Sequence, residues 1–351
     1  MLRALLCLFC LIPCLPCPAR ASSPPTLRMH VWVSYMPTWL LEEFTRETGI
    51  RVSVTFFADN RDLYRKLKEE GEMQRFDIVT PSAETVQQLA AENLLHPLSP
   101  EKIPNMKLLD PWFAGLGYDK NFRFSVPLYW GGLGIVVDKT GVPEKVASRI
   151  LGYKDLWLPE LKGLLILPND LRSLMSIMLL HLGYSVNDSE PAHLEAAMAA
   201  LESLAPSVNN FDSVDQVEDL AKLSVGVGVV WANEFFARPD QAAVYQFIFP
   251  KEGSPLWIDT IAVPANAPNP EAAQRFIDFV LRPENLARLS EQSGYAVAEK
   301  AAVDKLPESL RKNTIVYPPE QLRSRFEPEL MLPPAMLEKL EKRWIKLRDK
   351  L

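Results

Sequence analysis

WIDTIAVPANAPNPEAAQRFIDFVLRPENLARL, Trp257 to Leu289, opens with a large aromatic and a carboxylate two residues apart, Trp257 and Asp259. In a strand, residues two apart point to the same face. The pair therefore makes one patch, a flat π surface beside a fixed negative charge. Such a patch suits a small organic cation, because the ring face attracts the cation while the carboxylate pairs with its N–H groups. Ile261, Ala262 and Val263 carry the strand into Pro264, and Asn269-Pro270-Glu271 reads as N-cap, N1 and first-turn acid of a helix. Phe276, Phe279 and Val280 form its apolar stripe, and Pro283 stops the run. A ligand-facing strand end that feeds an amphipathic helix is the βα unit of an open α/β sheet. In such sheets ligands sit outside the carboxyl ends of the strands.

The same alternation runs upstream. Leu27 to Val33 reads as a strand, and Thr38 to Gly49 as a helix with Thr38 as cap and Gly49 as stop. Arg51 to Phe57 is a β-branched strand, Asp62 to Glu70 a helix, Phe76 to Thr80 a short strand and Ala83 to Glu92 a helix. Strands alternating with helices argue for a largely parallel, doubly wound sheet. Phe124 to Val137 then holds Pro127, Tyr129-Trp130 and three glycines, which marks a crossing into a second α/β unit. That unit has strands at Gly163 to Leu167 and Val225 to Trp231, and helices at Ser173 to Leu182 and His193 to Leu204. Recrossings are expected near Trp257 and Tyr295, and a last amphipathic helix at Ala335 to Leu351. Two lobes follow, residues 22–135 plus 259–300 and residues 136–258 plus 301–351, with a ligand cleft between them.

Arg3, the apolar stretch Ala4 to Leu15 and Ala19-Arg20-Ala21 have the three regions of a secretory signal, which assigns residues 1–21 to a leader. Leu11-Ile12-Pro13-Cys14 also loosely resembles a lipobox, so lipidation at Cys14 stands as the alternative to plain cleavage. All four cysteines lie in the leader, which excludes disulfides, thiol nucleophiles and thiolate metal sites from the mature chain. Cleavage leaves 330 of 351 residues, with 36 basic against 44 acidic side chains, a balance of −8. An acidic exported chain has no electrostatic case for nucleic acid or for an anionic membrane surface. His30, His96, His181 and His193 are scattered without metal-ligand spacing, and Gly226-x-Gly228 runs into a strand, so no metal or cofactor is expected.

Beyond this pattern the chain resembles the periplasmic spermidine/putrescine-binding proteins of bacterial polyamine ABC transporters. The resemblance rests on Trp32-x-x-Tyr35, Phe76-Asp77-Ile78-Val79-x-Pro81-Ser82, Val126-Pro127-x-x-Trp130-Gly131 and Asp155-Leu156-Trp157-x-Pro159-Glu160. It continues through Pro250-Lys251-Glu252-Gly253, Trp257-x-Asp259 and Gly294-Tyr295, in that order. It implies a two-lobed periplasmic-binding-protein fold, type II-like, that is not an enzyme. Such a protein, a monomer in the periplasm, captures a linear polyamine and delivers it to an inner-membrane ABC permease. The ligand contacts it implies are Trp32, Tyr35, Ser82, Asp170, Trp231, Trp257, Asp259 and Tyr295. Three positions depart from the pattern: Glu84 where an aromatic is usual, Ser173 where an acid often stands, and Glu327 at a late position that tends to be Gln. Glu84 and Glu327 are accordingly added to the candidate set.

Several residues carry two readings. Glu84 sits in a first helical turn, where an acid offsets the helix dipole whatever the ligand. Asp170 has the type and place of an N-cap. Trp130 and Trp157 read as packing residues, as most large aromatics do. Two other functions keep the same cleft: a polyamine-sensing co-receptor for a membrane signalling protein, and a carbohydrate-binding or carbohydrate-hydrolysing protein.

Overall fold

The computed structural model describes residues 26–69, 75–212, 216–222, 225–236 and 243–350; the expected leader lies outside them. The first unit alternates as its sequence does: β1 (Thr26–Trp32), α1 (Thr38–Thr48), β2 (Arg51–Phe57), α2 (Asn60–Lys68), β3 (Ile78–Val79) and α3 (Ala83–Ala91). β1 pairs in parallel with both β2 and β3. Gly49 ends α1 at φ 72°, a conformation that costs glycine little. Thr38, expected to cap α1, is its first helical residue instead; Pro37 holds the cap position with no side-chain bond.

β4 (Ser125–Asp138) is buried along nearly its whole length and leads into the second unit. That unit comprises α4 (Glu144–Ala147), β5 (Leu165–Leu167), α5 (Leu171–Leu182), α6 (Pro191–Leu204), β6 (Val208–Phe211), α7 (Gln216–Lys222), β7 (Val227–Trp231), α8 (Ala232–Phe236) and β8 (Tyr245–Ile248). β9 (Ser254–Ala262) returns to the first unit and feeds α9 (Pro270–Val280), the strand and helix read from Trp257 onward. Then come α10 (Pro283–Ser293), β10 (Ala296–Val297), α11 (Lys300–Val303), α12 (Glu308–Arg311), α13 (Glu320–Arg323), β11 (Phe326–Pro328) and α14 (Pro334–Arg348).

The strand order is β2-β1-β3-β9-β4-β7-β5-β6. The flanks are parallel, but within this order β9 and β4 run antiparallel to their neighbours, while β11 pairs in parallel with β9 off the main path. This departs from a uniformly doubly wound sheet for a simple reason: β4 leaves the first unit and β9 comes back, so the two must run in opposite directions. β4 pairs with β9 from Ser125 to Gly132 and with β7 from Leu133 onward, which places the changeover at Gly132-Leu133.

Two large apolar cores lie on either side of that changeover. The first gathers Leu27, Leu40, Phe44, Ile78 and Phe276; the second gathers Leu133, Ile135, Leu174, Met178, Leu201 and Trp344. Ala302, Leu306, Leu310, Val316 and Phe326 also pack into the first core, although the sequence reading gave the segment after residue 300 to the second lobe. Tyr295, where a recrossing was expected, packs against the first core as well. The chain passes from Phe326 in the first core to Leu332 in the second.

Candidate functional site

Between the two cores lies a cleft of about 650 Å³. Trp32 ends β1, Ser82 and Glu84 begin α3, Asp170 precedes α5, and Trp231 ends β7, all at the carboxyl ends of parallel strands or just beyond them. Trp257 and Asp259 project from β9, and Tyr35 and Tyr295 complete this wall. Nine of the ten sequence candidates therefore meet on one cavity.

Glu327 does not. Its carboxylate accepts a hydrogen bond from the Ser185 hydroxyl, away from the cleft lining. The late acid on the cavity is Glu329, which the sequence reading missed. β11 stops at Pro328, so the strand alternation that would put 327 and 329 on one face no longer holds. Glu234 was missed too; it lies in the first turn of α8, directly after β7. The rule that ligands gather where a strand feeds a helix points to it.

Asp259 is the most enclosed acid of the site, 8% exposed. The Tyr35 hydroxyl donates to its Oδ2, and the Asp259 backbone forms an isolated antiparallel bridge with Ser82. The Trp32 indole N–H is near enough to favour the charged form, but it meets no acceptor at hydrogen-bond geometry. Burial outweighs both contacts and pushes the Asp259 carboxyl up from 3.8 to about 7, with the charge of Glu84 adding to the rise. Glu329 is pushed up to about 7 by burial as well; Arg172 pulls it down, while Asp170 and Glu84 raise it. Glu84 is raised by burial, lowered by Arg172 and raised by Asp170. Arg172 spends its donors on Leu330 O (3.1 Å), Ser176 Oγ (2.6 Å) and Asn187 Oδ1 (2.8 Å), and none on these carboxylates. The cleft thus gathers carboxyl groups with no Lys, Arg or His among its described lining residues, and burial pushes Asp259, Glu329 and Glu84 toward the neutral form.

Both readings of Asp170 coexist. Its Oδ1 accepts from Ser173 N at 2.9 Å as the N-cap of α5, and the residue still lines the cavity. Ser82, at the head of α3, makes no capping bond; its Oγ accepts from Asn60 Nδ2 at 2.8 Å. The aromatic wall is a chain of edge-on contacts. Tyr35 meets Tyr129 at 4.9 Å, Tyr129 meets Tyr295 at 5.2 Å, and Tyr295 meets Trp257 at 5.8 Å. Trp257 lies so close over β4 that a Cβ on Gly131 would fall 2.7 Å from its Nε1. Only glycine leaves room for the ring there. Trp130 does not line this cleft: it is buried, and its indole N–H donates to Val297 O at 3.1 Å.

Two α/β units around an acid-rich, aromatic-walled cleft are the architecture of a two-lobed solute-binding protein. Residues 39–316 match the bacterial extracellular solute-binding proteins, and the chain belongs to that family. The spermidine/putrescine-binding periplasmic protein of Salmonella typhimurium is 34% identical over 311 residues, covering 88% of each chain. The putrescine-binding periplasmic protein PotF of Escherichia coli is 29% identical over 345 residues, covering 94% of this chain and 93% of its own. Among solved structures, the spermidine/putrescine ABC transporter substrate-binding protein PotD of Streptococcus pneumoniae superposes with a TM-score of 0.83 at 29% identity, covering 92% and 98% of the two chains. No helix among the described residues is long and apolar enough to cross a membrane.

Proposed function

We propose that this protein captures a linear polyamine outside the cytoplasm and hands it to an ABC permease in the membrane. The observation that carries the reading is Asp259, bonded to Tyr35 beside Trp257, on the same cavity as Glu84, Asp170 and Glu329. A polyamine at neutral pH is a flexible hydrocarbon with an ammonium at each end. Its methylenes need apolar walls and its charges need separate acids, because an unpaired buried ion is costly. Aromatic faces supply wall and cation attraction together. Asp259 and Glu329, pushed up to about 7 by burial, ionise more fully beside a cation, so site and ligand relieve each other's electrostatic cost. A neutral sugar would leave those carboxyls uncompensated, which weighs against the carbohydrate reading.

In this proposal the ligand contacts are Trp32, Tyr35, Ser82, Glu84, Asp170, Trp231, Trp257, Asp259, Tyr295 and Glu329. The two apolar cores are the lobes, hinged at Gly132-Leu133 and at the start of β9, and they close on the amine as one monomer. The leader directs the chain to the periplasm, where relatives such as the Salmonella protein are named as residing.

A thermal-shift panel of putrescine, cadaverine, spermidine, spermine and a maltooligosaccharide tests the reading. A ligand at a hundredfold excess over its Kd adds roughly 2.7 kcal/mol to the native state. At least one amine shifts the transition and the sugar does not; the reverse pattern would refute polyamine capture.

A further inference from the structure

Side chains alternate along β4. Tyr129 turns toward Tyr35 and the cleft, and Trp130 turns to the opposite face of the sheet. There a second, smaller cavity of about 250 Å³ opens in the first core, between Trp130, the end of β10, α11 and the segment around Tyr317. Phe113, Trp130 and Tyr317 give it an aromatic side, and Asp110, Glu299, Lys300 and Arg323 a charged one. The Trp130 ring meets Phe113 at 5.8 Å and Tyr317 at 6.4 Å.

One acid on this cavity has no evident occupation. Glu299 is 1% exposed, and neither oxygen of its carboxylate has a hydrogen-bond partner in the protein. It stands at the N-cap position of α11 but makes no capping bond. The other acid on the cavity, Asp110, is already neutralised by Arg323 at 2.9 Å, whose guanidinium stacks over Trp112 at 4.5 Å. Lys300, exposed at the rim, forms no salt bridge to Glu299 among the described residues. Burial pushes this carboxyl up to about 7, so its charged form is costly unless a cation meets it.

We propose that this cavity is a second binding site, separate from the cleft, for a small primary ammonium ion. The ammonium pairs with the Glu299 carboxylate, and its short alkyl portion lies against Trp130, Phe113 and Tyr317. Carboxylate and ring faces together are the recognition set for an organic cation. A hard divalent metal is held best by several clustered carboxylate oxygens, and no three metal-ligating side chains cluster among the described residues. Glu299 and an Asp110 already held by Arg323 do not supply such a cluster. The cavity is also smaller than the roughly 300–1,000 Å³ of pockets for larger ligands, so a singly charged, short-chain amine fits it better than an extended polyamine.

Ethylammonium chloride is the probe, titrated at pH 8 into 15N-labelled protein while the Trp130 indole N–H resonance is followed, that resonance being assigned by its loss in Trp130→Phe. Wild type and Asp259→Asn, in which the cleft is impaired, should both show a saturable Trp130 shift. Glu299→Gln should weaken it about tenfold or more, the effect of removing one partner of a buried charge pair. Val303→Phe fills the cavity from α11 without altering the carboxylate and should abolish the shift. No saturable Trp130 shift in the wild type, or one that survives in Glu299→Gln, would overturn the proposal. A response to calcium chloride with none to ethylammonium would overturn it as well.

Discussion

Replacing Asp259 by Asn should make the ligand-free protein more stable at alkaline pH while it abolishes high-affinity amine binding. In the folded state the carboxyl is pushed up from 3.8 to about 7, chiefly by burial. A group so raised costs nothing below pH 3.8, where it is protonated in both folded and unfolded chains. Its cost grows as pH rises, because the unfolded chain ionises freely and the folded one resists, and it is complete above pH 7. The gap from 3.8 to about 7 amounts to about 4 kcal/mol, of which about 2.5 kcal/mol develops between pH 5 and pH 8. That is a large fraction of the 5–15 kcal/mol by which domains are typically stable. Asn has the same shape, still accepts from the Tyr35 hydroxyl and does not titrate. Urea unfolding of wild type and Asp259→Asn at the two pH values, followed by tryptophan fluorescence, measures the difference directly. The stability gap in favour of Asn should widen by about 2.5 kcal/mol from pH 5 to pH 8. Amine binding, read by calorimetry, should weaken by about 2–5 kcal/mol in the variant. In the wild type near pH 7, binding should release protons as the carboxyl ionises against the ammonium. Stability curves that stay parallel across pH would refute the claim that Asp259 is forced toward neutrality. An unchanged Kd would remove it from the site.

Glu329→Gln should weaken amine binding and, like Asp259→Asn, reduce the loss of ligand-free stability on raising the pH, since Glu329 is also raised to about 7; matched pH titrations of stability and affinity check both. Glu84→Gln separates ligand reading from dipole compensation: a reordered panel of amine affinities marks a contact, whereas an unchanged order with a loss of about 0.3–1 kcal/mol in stability marks the helix effect alone. Gly131→Ala should displace the Trp257 ring, which lies 2.7 Å from the added Cβ, and should cost the roughly 0.5–2 kcal/mol of a cation–π contact in amine affinity. Small-angle scattering should show a smaller radius of gyration with a bound amine than without, because only closure lets both lobes contact one ligand; equal radii would argue against closure.

Local patterning in the sequence determined most of the elements and pointed to most of the candidate site. The β-branched run at Arg51–Phe57, the stop at Gly49 and the Asn-Pro-Glu start of α9 depend on neighbours a few residues away, so periodicity and caps expose them. The pairing of Trp257 with Asp259 was legible for the same reason, since both belong to one strand. The tertiary structure alone decided what lies far apart in the chain. Tyr35 reaches Asp259 across 224 positions. Glu329, not Glu327, faces the cleft because β11 ends between them. Ala302, Leu306, Leu310, Val316 and Phe326 belong to the first core although their sequence carries no mark of it. The raised carboxyls of Asp259 and Glu329 and the orphaned Glu299 depend on the tertiary structure too. Loss of water around a charge depends on everything packed about it, and no spacing along the chain encodes that.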